Sequence, residues 1–244
     1  MNFKPEGTVG VKPMEYQETT EDEFESFSYI ISHDLKSPLR AIQILTDWIV
    51  RENADRLTES GKEHLVLLQD RVKRMDHIID AVSRYSRIGR VKIEPESVDL
   101  NQMIDYHILV TPVPDHIQCI KKKPLPVVRC KRALVTEVFQ HLIDNAIRYM
   151  DKPEGRVEID FSEEKDFWRF SVSDNGPGID EKYHRQIFKI FASLHGRDDG
   201  QSRGVGLTLS KRIAELSGGR IWLESRKGEG CTFFFTLPKD ENRN

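Results

Sequence analysis

The chain has 244 residues, of which 38% are hydrophobic and 32% charged, and its formal net charge is −3. This length suggests one large domain or two small ones, and the composition is that of a globular protein with a core. The balanced charge lacks the basic field of a nucleic-acid-binding protein, so nucleic acid is not an expected partner. Without a long apolar run or a signal-peptide pattern, we expect no membrane insertion and a cytoplasmic location.

Two long amphipathic helices are predicted between residues 21 and 90, after an N-terminal arm at residues 1–20 that shows no periodicity. Apolar residues recur at spacings of three, four or seven over residues 24–49 and again over residues 65–82. Thr58 is the predicted N-cap of the second helix. Because a helical hairpin cannot cover both of its apolar faces, we expect a symmetric homodimer that forms a four-helix bundle.

The second half of the chain mixes helical and strand periodicities after a predicted linker at residues 91–97. We predict an α+β domain over residues 98–238, built as an α/β sandwich, and a flexible tail at residues 239–244. The predicted strands are Pro126–Arg129, Arg156–Phe161, Trp168–Ser173, Arg220–Glu224 and Thr232–Leu237, and the predicted helices lie near 132–150, 181–190 and 206–217.

His33 lies on the polar side of the first helix, in the segment Ser32–Leu39. Neutral imidazole is a good nucleophile, and the adjacent Asp34 can hold its tautomer and accept its proton. Pro38 removes a helical hydrogen bond and predicts a local kink next to this histidine. An isolated histidine on a helix is usually an ordinary surface residue, so His33 alone does not establish a function.

A second polar helical face is predicted by His141, Asn145 and Arg148, which are spaced at i, i+4 and i+7. Such a face can meet phosphates and Mg²⁺, for which the amide oxygen of Asn145 is a sufficient protein ligand. The alternative is an amphipathic helix with a polar outer side, and that interpretation is the better one for this segment alone.

Two glycine-containing segments complete the pattern. Residues 174–179 follow a predicted strand, where a carboxylate can accept a hydrogen bond from adenine and glycine permits close backbone approach, although a plain turn explains them equally well. Residues 204–207 open a predicted helix whose backbone amides suit phosphate oxygens, and residues 195–203 before them suggest a lid. Neither segment has the Walker or the Rossmann spacing.

Together these segments resemble the conserved boxes of sensor histidine kinases of two-component systems, over roughly residues 22–238. The similar segments are Ser32–Leu39 for the phosphoacceptor box, Glu137–Tyr149 for the asparagine box, Asp174–Ile179 and Gly204–Leu207 for the two glycine boxes, and Ile187–Phe191 for the phenylalanine box. Residues 190–195 and 218–225 look closest to the phytochrome-like branch.

The resemblance implies a dimerisation and histidine-phosphotransfer hairpin, followed by an ATP-binding sandwich of the kind shared with gyrase and heat-shock chaperones. It implies autophosphorylation of His33 by ATP, with Asp34 as the base, Asn145 as the Mg²⁺ ligand and Asp174 as the residue that recognises adenine. Ser37 matches the position that serves phosphatase action in the family. The implied nucleotide-binding residues are Asn145, Arg148, Tyr149, Asp174, Gly176, Gly178, Ile179, Phe188, Phe191, Gly204, Val205, Gly206 and Leu207.

The implied partners are a second copy of the chain, the receiver domain of a response regulator, and an upstream sensor module or protein outside this chain. Two residues depart from the family pattern: His141 stands where an asparagine is usual, and Arg148 replaces the common lysine. Because imidazole is a poorer Mg²⁺ ligand than an amide oxygen, a dimeric scaffold that has lost ATP use is one alternative. An ATPase clamp of the wider superfamily is another, but it leaves the His33 segment without a purpose.

Overall fold

The structure is a computed structural model that describes residues 15–53, 55–89, 93–189 and 204–239, with the backbone alone described for residues 15–31. It contains a helical hairpin followed by an α/β sandwich. Within these described residues, no helix combines the length and the apolar character that crossing a bilayer requires.

The hairpin consists of α1 (Glu15–Asn53) and α2 (Glu59–Arg87). Helix α1 begins within the segment predicted as an N-terminal arm, where its acidic residues suit a helix N-terminus. It continues through Pro38, and a local kink there stays a prediction. The predicted cap is confirmed, because the Thr58 hydroxyl accepts a hydrogen bond from the Gly61 backbone N–H at 3.1 Å.

One apolar face of the hairpin is covered and another is not. Leu39, Val72 and Ile79 form a small buried cluster between the helices. Large apolar side chains elsewhere on the pair remain exposed, namely Leu35, Ile42, Ile44, Leu45, Trp48, Ile49, Val50, Val66, Leu67, Leu68 and Met75. A single copy of the hairpin therefore leaves an extended apolar surface in contact with water.

In its described residues, 93–189 and 204–239, the sandwich contains seven strands and three α-helices. They are β1 (Glu96–Asp99), α3 (Leu100–Val110), β2 (Ile117–Lys121), β3 (Val127–Cys130), α4 (Arg132–Arg148), β4 (Gly155–Glu163), β5 (Phe167–Asp174), α5 (Gly206–Leu216), β6 (Ile221–Arg226) and β7 (Gly230–Pro238). The main sheet has the order β2-β4-β5-β7-β6, in which β2 and β4 are parallel and the other neighbours antiparallel. Strands β1 and β3 form a separate antiparallel pair.

A group of buried aromatic rings fixes α4 on the sheet. Phe139 of α4 meets Phe170 of β5 and Phe235 of β7 edge-on, with ring centroids 5.5 Å and 5.0 Å apart. All three side chains are almost completely buried, and such contacts contribute both buried area and specific geometry. The polar face of α4 is thereby held at a defined position above the sheet.

All five predicted strands are present, but the elements around them extend further than the sequence indicates. Strand β1 begins at Glu96, so the last two residues of the predicted linker already pair with β3. Lys239, predicted to belong to the tail, donates its backbone N–H to the Asp166 carbonyl, and residues 240–244 lie outside the described residues. Strand β2 and helix α3 have no counterpart among the predicted elements.

The predicted helix at 181–190 is wrong beyond its first turn. A 3₁₀ helix covers Glu181–Tyr183, and turns follow it. The backbone of this segment forms turn hydrogen bonds, and two further bonds involve side chains: the His184 imidazole bonds the Ile179 carbonyl, and the Phe188 carbonyl accepts from the Thr208 hydroxyl of α5. These bonds tie the segment to its surroundings and end the helix early.

Candidate active site

His33 lies on the solvent-facing side of α1, with 79% of its side chain exposed. Its Nδ1 atom lies 3.1 Å from Oδ1 of Asp34, within hydrogen-bonding distance. A carboxylate acceptor at this position favours the tautomer that carries its proton on Nδ1, which leaves the Nε2 lone pair directed into solvent. Ser37, one turn further along α1, is also exposed.

A cavity of about 650 Å³ lies between the hairpin and the sandwich. Most of the predicted nucleotide-binding residues line it: Asn145, Arg148, Tyr149, Asp174, Gly178, Ile179, Gly204, Val205, Gly206 and Leu207. Side chains of α4, the segment after β5 and the start of α5 therefore meet at one place, although 25 or more residues separate each from the next in the chain.

Two of the predicted residues lie outside the lining of the cavity. The backbone N–H of Gly176 donates to Oδ1 of Asp174 at 2.9 Å, so this glycine supports the carboxylate from behind and does not line the cavity. Phe188 is partly buried against the core, with its ring 6.4 Å from that of Phe233. Phe191, together with the predicted lid at 195–203, lies outside the described residues.

Asp174 supplies a partly buried carboxylate at the end of β5. Burial raises its pKa above the ordinary value, the backbone N–H groups of Gly176 and Cys231 oppose that shift, and the charge of Asp151 adds to it. The group is held in place by backbone donors and faces the cavity. It is suited to accept a hydrogen bond from a ligand amine.

Two residues of β7, Cys231 and Phe233, also line the cavity and were missed by the sequence analysis. They alternate along the strand and share the face that packs on the helices. Burial raises the pKa of the Cys231 thiol to about 12, with a further contribution from the charge of Asp174. This side of the cavity is therefore neutral and apolar, as a flat heterocyclic ring requires.

Gly178 has a backbone conformation and surroundings that exclude any side chain. Its φ angle is +65°, and a Cβ atom would lie 2.0 Å from the Arg226 carbonyl oxygen. The segment after β5 can pass this closely over the β6–β7 turn only with glycine at this position. The close passage sets the position of the neighbouring Ile179, which lines the cavity.

His141 connects α4 to α5. Its Nδ1 atom lies 3.2 Å from Oγ of the fully buried Ser210, and its ring lies against Gly206, where a Cβ would come within 3.1 Å of the imidazole. Nε2 lies 3.9 Å from Oε1 of Glu137. The residue that departs from the family pattern thus joins the two helices that line the cavity, and its Nδ1 is already engaged.

The hairpin supplies one wall of the cavity, which the sequence analysis did not anticipate. The residues that it contributes are Lys36 of α1 and His77, Asp80, Ala81, Ser83, Arg84 and Arg87 of α2. Lys36 forms an ion pair with Asp80, and Arg84 reaches across to Glu137 of α4 at 3.4 Å. The helical spacing of the α2 residues is visible in the sequence, but the surface that they face is not.

Two family models match the chain along most of its length. The His Kinase A (phospho-acceptor) domain matches residues 25–90, and the histidine kinase-, DNA gyrase B- and HSP90-like ATPase matches residues 130–241. The chain belongs to the histidine kinase family. As a member, it is 40% identical over 229 residues to cyanobacterial phytochrome B of Nostoc sp., which agrees with the predicted phytochrome-like branch. The matched region covers 90% of this chain and 30% of that relative.

Solved histidine kinases show the same fold. Full-length ShkA, solved in complex with AMPPNP, is 21% identical and superposes with a TM-score of 0.65 over 88% of this chain and 46% of its own. ThkA, solved in complex with the response regulator TrrA, is also 21% identical, with a TM-score of 0.64 over 93% of this chain and 66% of its own. The hairpin followed by the sandwich is therefore the architecture of this kinase family.

Proposed function

We propose that this chain binds ATP in the cavity, transfers the γ-phosphoryl group to His33, and passes it to an aspartate of a response-regulator receiver domain. The observation that carries the proposal is the meeting of Asn145, Asp174 and the Gly204–Leu207 segment around one cavity, beside a hairpin that presents an exposed histidine bonded to a carboxylate. The matched phospho-acceptor and ATPase families support both halves of it.

In this proposal each wall of the cavity binds a different part of the nucleotide. Asp174 accepts a hydrogen bond from the adenine amine, while Cys231 and Phe233 border the ring. The phosphates extend from Arg148 past the backbone amides that begin α5 at Gly206, beside His141. The adenine is thereby fixed at one end, and the triphosphate extends along α4.

Mg²⁺ fits the donor atoms of this site. Among the residues that the structure describes, no group of three or more His, Cys, Asp or Glu side chains could hold a metal by itself. One amide oxygen from Asn145, completed by phosphate oxygens and water, is the environment that Mg²⁺ commonly takes in nucleotide sites. The ion would neutralise charge on the phosphates; the remaining chemistry belongs to the protein.

The reaction at His33 follows from its hydrogen bond. With the proton on Nδ1 held by Asp34, the Nε2 lone pair attacks the γ-phosphorus, an N–P bond forms, and the bond to the β,γ-bridging oxygen breaks to release ADP. Asp34 stabilises the positive charge that develops on the ring and can take up the Nδ1 proton. Because His33 does not line the cavity, the ATP-binding domain has to move relative to α1 before transfer, with the predicted linker as its hinge.

We further propose that two copies of the hairpin pair through their exposed apolar residues, and that the receiver domain and an upstream sensor module are the remaining partners. The covered part of the phytochrome relative is less than a third of its length. Ser37 keeps a hydroxyl group near His33, and phosphatase action on the partner is a second activity that this residue favours.

The test is incubation of the chain with γ-labelled ATP and Mg²⁺, scored as acid-labile, base-stable label on the protein. His33→Gln and Asn145→Ala are expected to lose the label. His64→Gln, which changes another exposed histidine of the hairpin, is the matched control and is expected to keep it. Absence of label on the folded parent chain would contradict the kinase proposal and favour the scaffold alternative.

A further inference from the structure

The walls of the cavity form an ordered series along α4. At its C-terminal end, the Tyr149 carbonyl lies close to Gly176, which supports Asp174. Asn145 lies about one turn before Tyr149 along α4, and His141 about two turns before it. Glu137 comes last on α4, a rise of about 12 Å from Asn145, just beyond the residues that line the cavity. A nucleotide with its adenine at Asp174 therefore extends its phosphates toward the Glu137 end of the helix.

At that end, the hairpin brings a cation next to α4. Nη2 of Arg84 lies 3.4 Å from Oε1 of Glu137, and Arg84 itself lines the cavity. The Arg84 side chain is 59% exposed, whereas that of Glu137 is only 16% exposed. The long arginine side chain can therefore move toward the cavity, while the carboxylate stays fixed on α4.

The charge of Glu137 makes a cation necessary here. Its Oε1 is buried and forms no hydrogen bond among the described residues, and a γ-phosphate at the Arg84 wall of the cavity would lie on the other side of the arginine from this carboxylate. Like charges that are partly removed from water repel strongly. An arginine between the two relieves this repulsion, because its five N–H donors can bind a phosphate in bidentate fashion and a carboxylate together.

We propose that Arg84 binds the terminal phosphate of ATP, so that the hairpin completes the nucleotide site of the adjoining domain. This inference rests on the proposed function, since it assumes that the cavity holds ATP. Arg84 then makes a contact that ADP, which lacks the third phosphate, cannot make. With the hairpin packed against the sandwich, the affinity for nucleotide therefore depends on that phosphate. A γ-phosphate bound by the hairpin also couples occupation of the site to the contact between the two domains.

The experiment compares two ligands by isothermal titration calorimetry in the presence of Mg²⁺: ADP and the β,γ-imido analogue of ATP. Arg84→Ala is expected to weaken binding of the analogue about tenfold, which corresponds to about 1.4 kcal/mol, and to change ADP binding less than about twofold. Arg84→Lys, which keeps the charge and loses the fork, is expected to give an intermediate loss. Lys73→Ala removes an exposed cation of α2 that does not line the cavity, and it should leave both ligands unchanged.

The outcomes separate the inference from the function on which it rests. An equal loss for both ligands in Arg84→Ala would mean that the residue only docks the domains, and unchanged affinities would mean that it does not reach the nucleotide; either result overturns the inference. If the parent chain bound neither ligand, the proposed function itself would be overturned. Selective loss of the analogue, together with the partial effect of Arg84→Lys, would support the phosphate contact.

Discussion

The hairpin and the sandwich reach stability in different ways. The sandwich encloses a continuous core between its sheet and helices, whereas the described part of the hairpin has a small apolar cluster of its own, Leu39, Val72 and Ile79, and exposes side chains such as Leu45 and Trp48. A sheet covered by helices closes its own core, but a pair of helices has apolar residues on sides that it cannot cover. The stability of the hairpin should therefore depend on protein concentration, while that of the sandwich should not.

The largest expected effect comes from a charge placed in the exposed apolar surface of the hairpin. Leu45→Glu should prevent pairing of two copies, because it removes apolar burial and introduces a carboxylate that would lose its water, at a cost of about 3–5 kcal/mol per protomer. Light scattering should report a dimer for the parent chain and a monomer for the variant. Lys73→Glu, on an exposed polar position, should remain dimeric; a monomeric parent chain would contradict the comparison.

The core of the sandwich gives the next largest effect. Phe170→Ala removes a fully buried ring from the contact with Phe139 and Phe235, and the free energy of unfolding should fall by about 3–5 kcal/mol. Phe234→Ala is the control, because its ring stacks on Trp222 on the opposite face of the sheet and should contribute only about 1 kcal/mol. Urea denaturation measures both, and equal losses would contradict the assignment of the core.

The bond between α4 and α5 can be tested at His141. His141→Ala leaves the buried Ser210 hydroxyl without this partner, at an expected cost of about 1–3 kcal/mol. His141→Asn keeps hydrogen-bonding groups at this position and should lose less. Chemical denaturation and ADP titration of the two variants distinguish a residue that connects α4 to α5 from one that contacts the metal directly, as the family pattern suggests. Only a direct metal contact predicts that the asparagine variant needs less Mg²⁺ without a change in stability.

A pH titration tests the environment of Asp174. Burial raises the pKa of this carboxyl, so it should take up a proton on acidification at a higher pH than an ordinary aspartate. The protonated group is a weaker acceptor, and ADP affinity should fall by about tenfold, or about 1.4 kcal/mol, as the pH is lowered through the raised pKa. Asp174→Asn should bind more weakly at neutral pH and show no such fall; a pH-independent parent chain would contradict the assignment.

The smallest expected effect is at the N-cap of α2. Thr58→Ala removes the hydrogen bond to the Gly61 N–H and should lower the stability of the hairpin by about 1 kcal/mol. Thr58→Ser keeps the acceptor and should have almost no effect. Thermal denaturation followed by the fluorescence of Trp48, in a background where Trp168 and Trp222 are replaced by Phe, confines the measurement to the hairpin.

The sequence predicted best where one element carries its own pattern. The two helices of the hairpin follow from apolar spacing, the Thr58 cap from its residue type, and the five strands from β-like runs. Prediction failed where a segment takes its partners from elsewhere in the chain. Strand β2 is short and ends in the first of three consecutive lysines, and the 181–190 segment bonds to α5 and to its own neighbours in place of forming a helix.

The candidate site also divides into residues that a local pattern predicts and contacts that depend on tertiary packing. The residue types that suit ATP chemistry, namely His33 with Asp34, Asn145, Asp174 and the glycines, are local patterns, and the sequence determined them by itself. Only the tertiary structure decided that Cys231 and Phe233 border the cavity, that His141 bonds Ser210, and that Arg84 of the hairpin approaches Glu137. These contacts join residues far apart in the chain, and their partners depend on how whole faces pack against one another, which no local spacing specifies.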